Sequence, residues 1–237
     1  MIGTLANTGA IVLGGVCGHF FGRLLKDRHQ ETLTMACGVG TLFIGIAGAM
    51  EYMLRNPLFP SGGSMLVVVC LALGGLIGEI INIERGFERF GEWLKIKTGN
   101  AKDQGFVNGF LTASLTVCIG AMAIVGAVQD GIAGDWTTLG AKAILDLIIV
   151  MVMTCSLGKG CVFSAVPVFL WEGGITLLAG AIKPMMTDAA MGYLSLVGSV
   201  LVFCVGINLV FGKKIRVANL LPAVFIAVLF AFLPITF

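Results

Sequence analysis

Apolar residues run along this chain in long unbroken stretches, without the strict alternation of a half-buried strand or the one-sided stripe of a soluble helix. Eight stretches stand out, at residues 2–22, 33–52, 65–83, 107–129, 138–157, 161–182, 191–211 and 219–237. A bilayer core about 30 Å thick takes about 20 residues of helix to cross, so each is long enough to span it. Continuous runs favour helices over a membrane β-barrel, whose strands would alternate apolar and polar over about ten residues. The expected fold is an all-α polytopic membrane bundle of about eight transmembrane helices, forming a single integral-membrane domain over 1–237. The first stretch has no basic residue before Arg23, so it reads as a retained helix rather than a cleaved signal peptide.

Composition supports this. Hydrophobic residues make up 57% of the chain and charged residues 12%, about half of what a soluble domain needs to cover its surface. The net charge of +2 and the absence of a dense Lys/Arg cluster exclude a nucleic-acid partner. The few cations sort across the membrane. With the N-terminus outside, the cytoplasmic connections hold Arg23, Lys26, Arg28, Arg85, Arg89, Lys95, Lys97, Lys102, Lys159, Lys213, Lys214 and Arg216. The other side holds only Arg55, Lys142 and Lys183. That asymmetry favours eight spans with both termini outside. The short sequence Ser156 to Cys161 reads either as a tight turn between two spans or as a break in a re-entrant hairpin.

Residues 84–104 break the apolar pattern. Ile83, Phe87, Phe90 and Leu94 fall at helical spacing among Glu84, Arg85, Glu88, Arg89 and Glu92, which predicts an amphipathic helix at the cytoplasmic interface with Trp93 at headgroup level. It reads as an orientation anchor or as a partner-binding helix.

A repeat is also visible. The segment Asn7-Thr8-Gly9-Ala10-Ile11-Val12-Leu13-Gly14-Gly15 resembles Glu172-Gly173-Gly174-Ile175-Thr176-Leu177-Leu178-Ala179-Gly180, and Gly45-Ile46 is echoed by Gly206-Ile207. A shift of five spans reverses direction through the membrane. The pairing predicts an inverted repeat relating spans one to three to spans six to eight, an arrangement seen in secondary transporters with a midplane site.

Polar groups inside the spans carry the candidate chemistry. An ionised carboxylate in lipid costs at least about 2.5 kcal/mol, so intramembrane acids turn toward protein or water. Asp146 and Glu172 are the two that stand out; Asn7, Asn108, Asn208, Asn219, Gln129 and Asp130 lie near span ends or centres, and Glu79 and Asp135 read as interfacial. The Gly173-Gly174 pair would allow a helix break beside Glu172. A functional reading makes Asp146 and Glu172 bind a cation or carry a proton. A structural reading has them hold the bundle together through interhelical hydrogen bonds or pairing with Lys142, one turn before Asp146.

Gly14, Gly18 and Gly22, Gly74 with Gly78, and Gly105 with Gly109 form small-residue faces for close helix packing, one of which would serve as a dimer seam in a homo-oligomer. The seven cysteines show no CxxC or pairing pattern and read as small hydrophobes. His19 and His29 make no metal-site signature. No hydrolase, metalloprotease or phosphate-loop motif is present. Neither an enzyme nor a cofactor or metal is expected.

Several of these segments together carry a resemblance. Thr112-Ala113-Ser114-Leu115, the block Cys118 to Gly126, Gln129-Asp130-Gly131, Gly134-Asp135, Ile2-Gly3-Thr4 with Asn7, Glu172-Gly173, and Asn219-Leu220-Leu221-Pro222-Ala223 resemble the YqgA/YdfK-type family of bacterial inner-membrane proteins, a domain of unknown function. The resemblance implies a bacterial cytoplasmic-membrane protein with a transport role and brings no substrate. On the outer side, Asp130 and Asp135 form a short acidic mouth that favours cationic or zwitterionic solutes, or a plain solvated loop.

The expectation is a secondary transporter for a small solute, coupled to a proton or another cation and assembled as a homo-oligomer in the lipid bilayer. Its site would lie between the first and sixth spans, bordered by the fourth and fifth, with Asp146, Glu172, Asn7 and Asn208 as binding groups and Gln129 and Asp130 at the outer side. The alternatives are a non-transporting scaffold that binds a partner through residues 84–97, and a channel.

Overall fold

The structure, a computed structural model, describes residues 1–55, 63–118 and 121–232. They fold into helices: α1 (Ile2–Gly22), α2 (Asp27–Arg55), α3 (Gly63–Ile81), α4 (Ile83–Lys97), α5 (Phe106–Cys118), α6 (Ala121–Ala133), α7 (Thr137–Leu157), α8 (Ala165–Leu177), α9 (Ala179–Ile182), α10 (Asp188–Phe211), α11 (Val217–Leu220) and α12 (Pro222–Phe230). No strand occurs among the described residues. The protein is an all-α polytopic membrane bundle. Among the described residues, six segments are singly long and apolar enough to cross a bilayer, and α5 with α6 makes a seventh if that pair, bent by 62°, counts as one. The stretch predicted at 219–237 corresponds to a shorter apolar helix, Val217–Phe230, and its last five residues lie outside the described ones.

The chain divides into two compact units. The first contains Met1–Cys37, Phe87–Cys118 and Met122–Lys183. Here α1 is the central helix. Gly3 faces Leu139, Gly14 faces Leu147, Gly18 faces Met151 and Gly22 faces Cys155, so numbers rise together and α1 runs parallel to α7. A Cβ on Gly14 or Gly18 would overlap the carbonyl oxygen of Leu147 or Met151. Lipid tails are as apolar as the side chains, so this approach is held by van der Waals contact between backbones rather than by a hydrophobic gain. Against α8, the other neighbour, Asn7 meets Glu172 and Thr4 meets Thr176, so α1 and α8 run antiparallel.

It follows that α7 and α8 form a hairpin, with Ser156–Cys161 at its bend. Gly158, at φ +90°, ends α7, and a 3-10 turn over Lys159–Ser164 leads into α8. A side chain is disfavoured at that φ, and no Cβ is tolerated at Gly160, where it would overlap the Phe106 carbonyl on α5. Helix α8 runs on through Gly173-Gly174 with regular bonding, Leu178 N–H donating to Gly174 O at 3.0 Å. The predicted break at that pair is therefore not there; the turn comes at Leu178, before α9.

The apolar face of α4 does not lie free on the interface. Phe87, Phe90 and Leu94 pack against Phe106, Phe110 and Leu111 of α5. Trp93 and Ile96 remain exposed, suited to headgroup depth, and Trp93 stacks on Phe90 with ring centroids 5.8 Å apart.

The second unit contains the described residues of Gly38–Gly86 and Pro184–Phe237. Helix α10 begins at Thr187, whose hydroxyl accepts from Ala190 N–H, and ends at Gly212 with φ +76°. It packs on α2 through glycines. Gly45 approaches Phe203 while Gly206 approaches Leu42, and Gly38 approaches Val210, so α2 and α10 run antiparallel. Gly74 and Gly78 admit Ala223 and the Asn219 carbonyl, bringing α3 against α11 and α12. At one end of α3 the charges pair off: Glu79 with Arg216 and, at 2.6 Å, with Asn219 Nδ2, and Glu84 with Lys213 at 2.6 Å. The glycine faces of α1 and α3 are thus packed within the chain.

Candidate functional site

The site lies in the first unit and is built by three helices. Lys142 and Asp146 stand one turn apart on α7, Asn7 lies near the start of α1, and Glu172 lies on α8. The parallel α1–α7 and antiparallel α1–α8 contacts bring these distant positions together. All are buried: Glu172 and Asn7 are 0% exposed, Asp146 4% and Lys142 6%.

The Lys142 ammonium organises the cluster. It bonds to Asp146 Oδ2, donates to the Val117 carbonyl at 2.8 Å and lies 3.6 Å from Glu172 Oε1. The same Oε1 accepts from Asn7 Nδ2 at 2.8 Å. One turn away, the Thr4 and Thr176 hydroxyls are 3.2 Å apart. The Val117 carbonyl belongs to the last turn of α5, just before the 62° bend to α6. A backbone group at a helix end thus joins the side chains, as at discontinuous helices that carry ion sites.

Charge is not balanced there. Two carboxylates face one ammonium, and burial in a low dielectric penalises the surplus negative charge. Two acceptors, Asn7 Oδ1 and Glu172 Oε2, are buried and have no hydrogen-bond partner among the described residues. The arrangement suits binding a proton or a small cation. No group of three or more potential metal ligands occurs among the described residues.

Of the residues predicted from sequence, Asp146, Glu172 and Asn7 come together. The others have different work. Asn208 ties down the loop after α10 in the second unit, accepting from Lys214 and Ile215 N–H at 2.8 and 2.9 Å and donating to the Ile215 carbonyl at 2.7 Å. Gln129 accepts from the Thr138 hydroxyl at 2.7 Å. Asp130 is buried, with Oδ2 accepting from Gly3 N–H at 3.0 Å and Oδ1 2.9 Å from the Met1 amino group, and so caps the start of α1. The predicted acidic mouth accordingly reduces to Asp135. That exposed carboxylate accepts from the hydroxyl and N–H of Thr137, which hold its pKa below the usual aspartate value. Its contribution at the start of α7 is therefore present above the ordinary aspartate range and lost as pH falls through its lowered pKa.

Lys142 was legible only as a neutraliser of Asp146. Its approach to Glu172 and the Val117 carbonyl comes from tertiary packing; the sequence signal was a lysine inside an apolar run, one turn from an acid.

These observations define a class: a polytopic α-helical membrane protein with an ionisable cluster buried among its helices. The chain belongs to the family described as "Protein of unknown function (DUF554)", which matches residues 2–232. It is similar to "Uncharacterized membrane protein YdfK" of Bacillus subtilis (strain 168), 31% identical over 226 residues, covering 95% of this chain and 93% of that one. It is also similar to "Uncharacterized protein YqgA" of Escherichia coli (strain K12), 28% identical over 231 residues, covering 96% and 94%. No solved structure matches.

Proposed function

We propose that the protein is a secondary transporter of a small solute in the bacterial cytoplasmic membrane, coupled to a proton or monovalent cation at Asn7, Lys142, Asp146 and Glu172. The observation that carries this reading is the buried surplus of one carboxylate, shared by α7 and α8 and touched by the end of α5. Purely structural ion pairs have no need of an uncompensated charge, and intramembrane ionisable residues of this kind mark ion and proton pathways.

The internal geometry supports it. Under the offset that relates Gly45 to Gly206, Leu42 is related to Phe203; Gly45 touches Phe203 and Gly206 touches Leu42, the reciprocal contacts of a two-fold relation. Asn7 and Glu172, equivalent in the first repeat segment, touch each other. Inverted repeats are the architecture in which alternating access is built. The parallel course of α1 and α7 is accounted for by three crossings between them, with α5 and α6 together as the third. Eight spans with both termini outside then agree with the distribution of cations.

Uptake of labelled amino acids, amines and small carboxylates into proteoliposomes tests the proposal. At least one solute class should accumulate with the wild type, and Asp146→Asn and Glu172→Gln should each lower the initial rate at least tenfold at equal reconstitution. Unchanged rates in both variants would remove the site from transport.

A further inference from the structure

The two unpartnered acceptors at the site belong to groups already joined to each other. Asn7 Nδ2 donates to Glu172 Oε1 at 2.8 Å, while the second oxygen of the carboxylate, Oε2, and the amide oxygen, Oδ1, are buried without a partner. Two acceptors cannot satisfy one another while the carboxylate is ionised. One proton changes this. Placed on Oε2, it makes that atom a donor to Asn7 Oδ1 while Nδ2–H continues to donate to Oε1. The carboxylic acid and the primary amide then meet through two hydrogen bonds in a ring, and both orphans are satisfied together.

Charge points the same way. With Glu172 protonated, the Lys142 ammonium and the Asp146 carboxylate cancel and the buried cluster is neutral. With Glu172 ionised, two anions share one cation. A metal cation fits less well, because it would sit beside an ammonium already 3.6 Å from Glu172 Oε1. The Asn7–Glu172 pair would also give it only two unpartnered oxygens, short of the six or more that hard divalent cations take.

We infer that Glu172 is the proton carrier of this protein and that Asn7 is its latch. A proton drawn from water on one side closes a two-bond acid–amide pair between α8 and α1 and leaves Lys142 to Asp146. Loss of the proton to the other side opens one of those bonds and draws Lys142 toward both carboxylates. The inference rests on the transport reading only for the use made of the proton, for which it names the coupling ion. The groups facing Glu172 are Lys142 and Asp146 from α7 and the Cys118 thiol from α5, with the neutral Asn7 and Thr4 from α1.

Infrared difference spectroscopy of the protein in lipid, cycled between acid and alkaline pH, tests this. The wild type should show a protonated-carboxyl C=O band that disappears at alkaline pH. The band should be lost in Glu172→Gln, whose amide N–H replaces the acid O–H toward Asn7, and in Asp146→Asn, where Lys142 is left to Glu172 alone, it should appear only at more acid pH than in the wild type. In Asn7→Ala it should move to higher frequency, because the carbonyl loses its donor. Glu172→Asp, which keeps the acid and shortens its reach to Asn7, should show the same upward shift and keeps the latch testable if Asn7→Ala does not fold. A band that persists in Glu172→Gln overturns the carrier; a band unmoved in both Asn7→Ala and Glu172→Asp overturns the latch. Uptake by the same vesicles is scored separately: the expected bands with no uptake of any solute would discard the transporter and keep the proton site.

Discussion

Replacing Lys142 with Met is expected to destabilise the protein by about 3–5 kcal/mol, the usual cost of leaving buried charges without their partner. The side chain is 6% exposed and is the cation of the cluster. Without it, Asp146 and Glu172 stand as two unpaired carboxylates among α1, α7 and α8. Adding Asp146→Asn should recover part of the loss, because one of the two stranded charges goes with it. The coupling between the substitutions is expected at about 1–3 kcal/mol, the range for residues that share a network. Unfolding of the purified protein in mixed micelles, run as a double-mutant cycle, measures it. Additive losses would show that Lys142 and Asp146 do not act on one another, and a neutral Lys142→Met would show that the cluster is not desolvated.

Substitution of the glycines on α1 should divide sharply by position. Gly14 and Gly18 face the Leu147 and Met151 carbonyls of α7, where a Cβ would overlap backbone oxygen rather than a side chain that turns away. Gly18→Ala should cost about 3 kcal/mol, the upper part of the range for overpacking, and Gly18→Val more. Gly9, on the same helix, has open space around its missing Cβ, so Gly9→Ala should be neutral or slightly stabilising through helix propensity. Because α1 carries Asn7 and α7 carries Lys142 and Asp146, prying the two apart also separates the cluster, and Gly18→Ala should reduce uptake along with stability. Thermal inactivation of the three variants checks the ordering; equal losses at Gly9 and Gly18 would contradict the observed seam.

Much of this architecture is legible in the sequence because lipid imposes a simple rule. A run of about 20 apolar residues must be a helix with its backbone groups satisfied internally, so α1, α2, α3, α7 and α10 follow their predicted stretches. The glycine faces are legible for the same reason, since only small residues let backbones approach in lipid. What pattern cannot show is where a helix bends or what faces it. The stretch 107–129 reads as one span, yet it holds α5 and α6 at 62°, and Gly173-Gly174 reads as a break, yet α8 runs through it. At the site, burial cost singled out Asp146 and Glu172, and Asn7 read only as one of several polar groups near span ends or centres; its contact with Glu172 comes from tertiary packing. Asn208 and Asp130 look the same in sequence, but one closes a loop and the other caps α1. Those tasks depend on neighbours distant along the chain, such as Gly3 for Asp130, 127 residues away. The role of α4 follows the same logic: its amphipathic face is legible, but its packing on Phe106 and Phe110 is set by the fold.

In the proposed mechanism the cluster of Asn7, Lys142, Asp146 and Glu172 couples proton movement to solute movement. Its most direct test is proton entry into proteoliposomes carrying a luminal pH indicator, recorded as each solute of the panel is added outside under an inside-negative potential. Luminal acidification that depends on the transported solute is expected in the wild type and should be absent in Glu172→Gln at equal reconstitution. Solute-dependent acidification of the same rate in Glu172→Gln would contradict it.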